Sequence, residues 1–564
     1  MKRFSVFWVG IMLIVCMTAS MPVGATTTLT VNCGTVLRGV THCASGSLYG
    51  VTETLPSDIA GMVAPLNPCV FTNPARAGSG YQQPIGAAIP VAGRLTSTTG
   101  KVMIRLADIF PGWPYQFTNM TDWLNKVTAV INDKKASGYS NFYGYEIWNE
   151  PDGTWNSGNG DFNSVLWKQT YARIRSLDSG AQIIGPSDAV YNHNRMNTFM
   201  SYCKNNNCLP DVVCWHELGG PANIANHIND YRAIESSLGI TARKISINEY
   251  CDSDHALEGQ PGSSARFFGK FERFKVDSAC ISWWFTNLPG RLGSLLTSGN
   301  AKGAGWYFYK WYGDMAGNMV STTAPNENSN NMDGCACVNG NTVTVLFGGP
   351  NDGTCAVKLN SLPSGIGSTA NVLVQRVDWV NKDTASNGPV TVSQSNYTVS
   401  GGSITVTVSG ANSSSGYRLY ITPGSGGGST PTPTQSAGTR RYEAESAARN
   451  HCNLFSSGYC SNGQYIGQID YSDSYVQFTV NVATTKSYTM TVRYANGTGA
   501  NSTHNLSING GPASTVTYSA TGNWFHSNSG ASLTRTVNLN AGNNTIRFAK
   551  GSTGYAELDY IDIQ

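Results

Sequence analysis

The chain has 564 residues, of which 13% are charged, and its formal net charge is +3. This length predicts two to four domains, because one hydrophobic core rarely organises so many residues. The small net charge and the lack of Lys/Arg clusters argue against nucleic acid and anionic membranes as partners. Abundant Gly, Ser, Thr, Asn and aromatic residues are typical of secreted proteins with much β structure that bind neutral polar ligands.

Residues 1–25 have the pattern of a secretory signal peptide. Lys2 and Arg3 precede the apolar run 4–17, and the small residues 23–25 supply a cleavage site. This run is shorter than the roughly 20 residues that span a bilayer, which disfavours a membrane anchor. We therefore expect a secreted, extracellular protein with no membrane association after signal cleavage.

Of the 14 cysteines, all but Cys16 follow this segment, and in an oxidising compartment their odd number leaves at least one free thiol. The expected disulfides are the pairs closest in sequence: Cys203 with Cys208, Cys33 with Cys43, Cys452 with Cys460, and Cys355 with either Cys335 or Cys337. Cys214 and Cys280 lie in apolar runs, which predicts buried thiols. Cys335 and Cys337 have no nearby histidine, so they do not form a zinc motif.

Residues 26–315 alternate short apolar runs with longer helical patterns, such as 121–138, where Thr121 is a predicted cap and Gly138 a predicted stop. The predicted strands are Leu37–Val40, Val63–Phe71, Val102–Ile109, Phe142–Trp148, Gln182–Gly185, Asp211–His216, Lys244–Asn248 and Ala279–Phe285. Eight strands that alternate with helices over roughly 280 residues predict a (β/α)8 TIM barrel.

After the predicted barrel the pattern changes to short strands. Residues 316–423 alternate apolar and polar positions between Gly/Asn/Ser turns, which predicts an accessory β-sandwich. Residues 424–438, GSGGGSTPTPTQSAG, form a linker that cannot build a core. Residues 439–564 again contain only short strands and predict a terminal β-sandwich (jelly-roll) module.

Two glutamates end predicted strands four and seven. Glu150 lies in 143-YGYEIWNEPDGTW-155 and Glu249 in 244-KISINEYCD-252, and each follows an asparagine. The carboxyl ends of barrel strands face the active site, and the separation of 99 residues (249 − 150) corresponds to three barrel repeats of about 33 residues. Either glutamate alone would be interpreted as a surface or helix-start charge. Together they provide the two carboxylates that glycoside hydrolysis requires.

The motif Trp148-Asn149-Glu150-Pro151 resembles the acid/base motif of clan A glycoside hydrolases, and the chain to about residue 422 most resembles glycoside hydrolase family 39. The resemblance implies that Glu150 is the acid/base and Glu249 the nucleophile of a retaining, cofactor-free mechanism with a covalent glycosyl-enzyme. It also implies that Asn149 binds the hydroxyl next to the anomeric carbon.

The acid must stay protonated near neutral pH, and we expect the charge of Glu249 and apolar walls to raise the pKa of Glu150. The expected donors to Glu249 are Tyr250 or His216, although His216 also fits a core histidine. The expected substrate-binding residues are Asn149, His216, Trp284, Trp113, Tyr115 and Arg105. Trp284 is the expected sugar platform because Trp283 points to the opposite face of the strand.

Two further assignments remain open at this stage. Arg105 and Asp108 either bind substrate hydroxyls or form a structural salt bridge. Glu217 directly follows His216, and we expect it to lie outside the catalytic pair in a supporting or surface position.

The segments 442-YEAE-445 and 558-LDYI-561 resemble the paired edges of a carbohydrate-binding module of family 35 or 6. Several hard oxygens brought together suit calcium, and the resemblance implies a structural calcium site of Glu443, Glu445 and Asp559. The alternative is ordinary solvent-facing acids. The expected sugar contacts of the module are Tyr494, Asn496 and Trp524, any of which also fits a core position.

These features predict a secreted retaining glycoside hydrolase that acts on a plant or microbial polysaccharide or its side chains, with xylosidase or arabinosidase-type exo action favoured. An appended binding module favours a polymeric substrate, because it raises the local enzyme concentration there. The alternatives are an endo-acting hydrolase on galactan, xylan or an exopolysaccharide, a transglycosylase, and a non-catalytic sugar-binding protein. The sequence leaves the sugar, the linkage and the oligomeric state open.

Overall fold

The structure is a computed structural model that describes residues 27–282, 289–350, 353–424, 440–482 and 484–564. It divides into two compact units, Met1–Gly426 and Gly427–Gln564. The predicted signal peptide, nearly all of the predicted linker, and Trp283 and Trp284 lie outside the described residues. Within the described ranges, no helix has the length and apolar character needed to cross a membrane.

The predicted (β/α)8 barrel is confirmed: eight parallel strands, β2 to β9, close into a barrel in the first unit. The strand β1 (Thr27–Gly39) precedes them and lies outside the barrel. The barrel strands are β2 (Gly46–Leu48), β3 (Val70–Pro74), β4 (Lys101–Arg105), β5 (Phe142–Glu146), β6 (Ile183–Asp188), β7 (Val212–Trp215), β8 (Lys244–Tyr250) and β9 (Ser278–Ile281).

Helices follow the barrel strands and cover the barrel. They are α1 (Ile59–Met62), α2 (Ala88–Arg94), α3 (Met120–Ala136), α4 (Pro151–Thr154), α5 (Lys168–Leu177), α6 (His193–Asn205), α7 (Ile224–Ser237), α8 (Pro261–Arg273) and α9 (Ala304–Gly313). A π-helical turn, Phe162–Trp167, leads into α5. The helix predicted at 121–138 is α3, and it is capped by the side chain of Asn119 rather than by Thr121.

The first predicted barrel strand, Leu37–Val40, is wrong. Its residues belong mainly to β1, which pairs with strands of the following β domain. The true first strand, β2, has only three residues and closes the barrel against β3 and β9. A Cβ atom at Gly46 would lie 2.4 Å from backbone oxygens on both sides, so this short strand needs glycine there. The second strand begins only at Val70, after the prolines that interrupt its predicted range.

The predicted accessory β domain is confirmed as a nearly closed nine-stranded sheet, with the order β15-β14-β17-β12-β11-β10-β1-β13-β16. Its strands are β10 (Asn318–Thr323), β11 (Asp333–Asn339), β12 (Thr342–Gly348), β13 (Gly353–Asn360), β14 (Thr369–Val377), β15 (Val390–Thr398), β16 (Ile404–Ala411) and β17 (Gly416–Pro423). The alternating strands bury an aliphatic core of their own. Because β1 lies between β10 and β13, the start of the described chain contributes to this domain.

The second unit is a β-sandwich of a six-stranded and a five-stranded sheet, as predicted. Its strands are β18 (Arg440–Glu443), β19 (Ala448–Asn450), β20 (Asn453–Ser456), β21 (Gln464–Gly467), β22 (Tyr475–Val482), β23 (Lys486–Ala495), β24 (Ser502–Ile508), β25 (Ser514–Tyr518), β26 (Ala531–Leu539), β27 (Gly542–Lys550) and β28 (Glu557–Ile563). The first strand pairs antiparallel with the last, as the acidic end segments indicated.

Within the described ranges the cysteines are free thiols. Two predicted pairings fail because the partners lie in different cores: Cys33 and Cys355 are in the core of the accessory β domain, whereas Cys43, Cys335 and Cys337 pack in the barrel core. Cys452 and Cys460 likewise pack in separate clusters of the module. The thiols of Cys203 and Cys208 share a hydrogen bond, so their pairing stays a prediction. Cys214 and Cys280 are buried as predicted.

Candidate active site

Glu150 lies just beyond the carboxyl end of β5, the fourth barrel strand, on a strained backbone. Its φ and ψ angles are 53° and 51°, in the left-handed region that few residues other than glycine adopt. The backbone N–H of Glu150 donates to the carbonyl of Ser187 at 2.8 Å, and Pro151 begins α4 at the next position. Strained backbone of this kind costs about 1–3 kcal/mol and clusters at functional sites. Here it accompanies a buried carboxylate at the rim.

Glu249 lies near the carboxyl end of β8, the seventh barrel strand, and is held by an arginine from β4. Arg105 Nη1 donates to Glu249 Oε1 at 2.7 Å. The same guanidinium donates through Nε to Glu146 Oε2, also at 2.7 Å. All three side chains are buried. The arginine therefore fixes the orientation of Glu249 from inside the barrel.

The two rim glutamates are close to each other. One carboxylate oxygen of Glu150, one of Glu249 and a ring nitrogen of His216 all lie within 4.8 Å of one another. Retaining glycosidases place their carboxyl groups about 5–5.5 Å apart, whereas inverting enzymes need about 6.5–9.5 Å to admit a water molecule. The observed proximity matches the retaining arrangement.

His216 bridges the two carboxylates from the end of β7. Its Nδ1 atom lies 3.1 Å from Glu150 Oε1, and its Nε2 atom lies 3.8 Å from Glu249 Oε1. Burial acts to lower the pKa of His216, but the charges of Glu249 and Glu150 and the hydrogen bond to Glu150 outweigh it and raise the pKa above its ordinary value. The imidazole is therefore biased towards its charged form.

The expectation that the pKa of Glu150 is raised is wrong. Burial does act to raise the pKa, but the hydrogen bond and charge of His216 and the charge of Arg105 outweigh it. The indole N–H of Trp113, which donates to Glu150 Oε2 at 3.0 Å, acts in the same direction. The pKa of Glu150 consequently lies below its ordinary value, opposite to the direction expected from the sequence.

Two predicted substrate-binding residues occupy positions that suit that role. Trp113 is 54% exposed although its N–H contacts the acid/base carboxylate, so its ring faces the open side of the site. Asn149 is buried, and its Oδ1 atom has no hydrogen-bond partner among the described residues. A buried acceptor without a donor is costly, so this oxygen is suited to accept a hydrogen bond from a ligand.

Three other assignments are corrected by the structure. Arg105 is only 1% exposed and contacts the nucleophile rather than an open cleft. The hydroxyl of Tyr115 is buried and donates to Asp108 at 2.8 Å, so it is not available to substrate. Tyr250 bonds to Tyr309 and to the carbonyl of Ala44 instead of Glu249.

Glu217 is buried and lies beside the catalytic pair without joining it. It accepts from Trp215 Nε1 at 2.7 Å and lies 2.8 Å from His227 Nδ1. The sequence predicted either a supporting or a surface position for Glu217, and the structure shows the supporting one.

Sequence reasoning missed the polar network beneath the site. Glu146 accepts from Arg105 and from the side-chain amide of Asn248 at 2.5 Å. Asp108 accepts from Tyr49 Oη at 2.6 Å, and burial raises the pKa of Asp108 to about 6. A signal was present for Glu146, since a charged residue inside an otherwise apolar strand requires a buried partner. Tyr49 carried no comparable signal.

The second unit corrects two predicted sugar contacts. Tyr494 is buried and packs against Tyr518, with ring centroids 4.8 Å apart. Asn496 is fully buried, and its side-chain amide donates to the carbonyls of Ala500 and Tyr518. Both side chains therefore stabilise the fold. Trp524 is half-buried and stacks on Tyr555 at 4.9 Å, so it remains a candidate sugar platform.

The predicted calcium ligands of the module lie near one another. The backbone N–H of Ser461 donates to both carboxylate oxygens of Asp559, at 3.0 and 3.1 Å, and the Ser461 hydroxyl donates to Glu443 Oε1 at 2.7 Å. Burial raises the pKa of Asp559 to about 7, and the charges of Glu443 and Glu445 act in the same direction. The second oxygen of Glu443 is buried and accepts no hydrogen bond. This arrangement fits a cation.

The raised pKa of His216 predicts a pH-dependent contribution to stability. A histidine with a raised pKa in the folded state stabilises the protein below its unfolded pKa, and this contribution is lost as the pH rises through the folded pKa. We expect the difference in unfolding free energy between the wild type and His216→Gln to be larger near pH 6 than near pH 9. Urea denaturation of the full chain at both pH values measures it.

His42 is a matched control because burial lowers its pKa. The wild-type advantage over His42→Gln should therefore shrink on acidification. A His216→Gln difference that does not change with pH, or that grows with rising pH, would contradict the assignment.

Comparison with known proteins found one matching family and several related proteins. Residues 440–564 match the family described as carbohydrate binding module (family 35). The solved structure of N2152 from Neocallimastix frontalis is 55% identical, covers 71% of this chain and 100% of that chain, and superposes with a TM-score of 0.70.

Two curated relatives match over 70% of this chain. They are a 3-O-alpha-D-galactosyl-alpha-L-arabinofuranosidase of Bifidobacterium longum subsp. longum, at 28% identity, and a 3-O-beta-L-arabinopyranosyl-alpha-L-arabinofuranosidase of Bifidobacterium pseudocatenulatum, at 27% identity. The matches cover 40% and 47% of those proteins, so the chain spans less than half the length of either. The chain belongs to the family of N2152 and ends in a carbohydrate-binding module of family 35.

Proposed function

We propose that the protein is a secreted retaining glycoside hydrolase that removes arabinofuranosyl-type units from the side chains of a plant or microbial polysaccharide. The observation that carries the reaction type is the proximity of Glu150 and Glu249, whose carboxylate oxygens approach within 4.8 Å. The apolar and basic start of the sequence supports secretion.

In the proposed mechanism Glu249 attacks the anomeric carbon while Glu150 protonates the departing oxygen. Arg105 holds Glu249 Oε1 and fixes the carboxylate for attack. Glu150 then removes a proton from the water that hydrolyses the glycosyl-enzyme. His216 supplies the proton that Glu150 delivers, through the hydrogen bond between His216 Nδ1 and Glu150 Oε1 at 3.1 Å. Asn149 supports the transition state through its buried, unsatisfied Oδ1 atom.

The proposal of an arabinofuranosyl substrate rests on the two curated relatives, both of which are named as arabinofuranosidases that recognise a 3-O-substituted arabinofuranose. Exo action on side chains is part of the proposal. The family 35 module favours a polymer as the natural substrate, because tethering keeps the barrel near many cleavage sites.

Azide rescue tests the two catalytic roles. We expect Glu249→Ala to lose roughly 10⁴-fold or more of the activity and to form a glycosyl azide of inverted configuration. We expect Glu150→Ala to retain its first step on an aryl glycoside with a good leaving group and to form an azide of retained configuration. The anomeric configuration of each product is measured by NMR.

Glu217→Gln is a matched control for a buried rim glutamate that lies outside the catalytic pair. It should form no glycosyl azide. Full turnover by Glu249→Ala would show that the nucleophile is a different residue, and an inverted product from the wild type would exclude the double displacement.

A substrate comparison tests the sugar and the mode of action. We expect faster hydrolysis of an aryl α-L-arabinofuranoside than of an aryl β-D-xylopyranoside, and release of small sugars from arabinose-substituted polymers without early shortening of the main chain. Product sizing by chromatography makes the measurement. Rapid chain shortening would establish endo action instead, and sugar transfer to an added acceptor in preference to water would establish a transglycosylase.

A structural calcium ion in the module is part of the proposal. Glu443, Glu445 and Asp559 would hold it, and hard carboxylate oxygens are the ligands that calcium prefers. Bound calcium would neutralise three converging acids and fix β18 against β28, which already pair at Glu443 and Tyr560.

Calcium binding should stabilise the module in the full chain. After chelator treatment, we expect added Ca²⁺ to raise the unfolding temperature of the module. At a Ca²⁺ concentration of 100 times the Kd, binding increases the free energy of unfolding by about 2.7 kcal/mol. Differential scanning calorimetry measures the shift. Asp559→Asn should remove it, whereas Asp562→Asn, on the same strand and bonded to Arg441, should keep it. An equal shift in the Asp559 variant would contradict the site.

A further inference from the structure

The loop that follows β8 brings three metal-ligating side chains together, outside the catalytic pair. Cys251 Sγ lies 3.1 Å from His255 Nδ1, and the same nitrogen lies 3.3 Å from Glu258 Oε1. The three atoms all lie within 4.8 Å of one another. Cys251 and Glu258 are buried, and His255 is half-buried. A sulfur, a nitrogen and an oxygen thus converge on one point near the surface.

The distances suit a tetrahedral zinc ion. Zinc binds sulfur at about 2.3 Å, imidazole nitrogen at about 2.0–2.1 Å and carboxylate oxygen at about 2.0–2.2 Å, which separates neighbouring ligand atoms by roughly 3.3–3.6 Å. The observed separations of 3.1 and 3.3 Å are close to these values. Small side-chain rotations would complete the geometry.

Proton accounting also favours a cation. The Nδ1 atom of His255 carries at most one proton, so it donates fully to only one of its two close neighbours. A cation between the three groups would accept electron pairs from all of them.

Neighbouring groups hold the carboxylate of Glu258 in position. The Ser282 hydroxyl donates to Oε1 at 2.8 Å. The Ser294 hydroxyl and the ammonium group of Lys382 both contact Oε2, each at 3.3 Å. The lysine therefore lies on the oxygen that does not face His255. Such outer contacts orient metal ligands and raise metal affinity.

We propose that Cys251, His255 and Glu258 bind one zinc ion, with water or the Ser282 hydroxyl as the fourth ligand. Cys251 follows Glu249 by two residues, and Ser282 immediately follows β9. The ion would join the ends of the last two barrel strands and brace the segment that carries the nucleophile. The site rests on its own residues and does not depend on the identity of the sugar.

Cobalt titration of the full chain tests the proposal. After chelator treatment, addition of Co²⁺ should produce a thiolate-to-cobalt charge-transfer band in the near ultraviolet that saturates at one ion per chain. Added Zn²⁺ should displace the cobalt and remove the band. Calcium bound in the module gives no such band, so the two metal sites are distinguished.

Cys251→Ser should abolish the band, and Cys355→Ser, which removes a buried thiol of the accessory β domain, should keep it. If Cys251→Ser fails to fold, His255→Ala and Glu258→Gln provide the test, and each should weaken cobalt binding at least tenfold. Absence of the band in the wild type would overturn the proposal and show that hydrogen bonds and the Lys382–Glu258 ion pair hold the cluster without a metal ion. A band that persists in all three ligand variants would also overturn it.

Discussion

The catalytic geometry depends on one buried positive charge, the guanidinium of Arg105. It lies between Glu146 and Glu249, and all three side chains are almost inaccessible to solvent. Removal of one partner from such a buried network costs about 3–5 kcal/mol, because it leaves an uncompensated charge. Glu146 is itself held by Asn248, the neighbour of Glu249. The nucleophile is thus oriented from within the barrel by residues of β4, β5 and β8.

Glu150 and Glu249 have different surroundings, and this difference agrees with the roles proposed for them. Glu249 accepts a hydrogen bond from the guanidinium of Arg105, which fixes the orientation of its carboxylate. Glu150 lies on strained backbone and shares a hydrogen-bonding proton with His216, whose pKa lies above its ordinary value. Because His216 also lies near Glu249, the negative charge of the nucleophile helps to keep that proton in the site. Formation of a glycosyl-enzyme would remove this charge and weaken the hold on the proton.

Sequence patterns placed Glu150 and Glu249 at one rim of the barrel but did not reveal the network that supports them. β5 and β8 were predicted because each is an apolar run that ends in Asn-Glu, and barrel geometry places such ends at one rim. The first barrel strand was missed because β2 has only three residues, and its identity depends on a close approach at Gly46 that no local pattern records. The burial of Tyr494, inside β23, and of Asn496, just after it, was not predicted, because the local sequence does not show which face of the strand end is covered.

The accessory β domain packs against the barrel at helix α8, which follows the loop of Cys251 and Glu258. The ammonium group of Lys270 and the guanidinium of Arg273 on this helix both contact Asp333 of β11, in buried ion pairs of 2.9 and 2.7 Å. A Cβ atom at Gly269 would lie 2.4 Å from the Asp333 carboxylate, so glycine permits this approach. The β domain thus supplies the carboxylate partner of both cations. The segment that follows the nucleophile strand is therefore stabilised from outside the barrel as well as from within it.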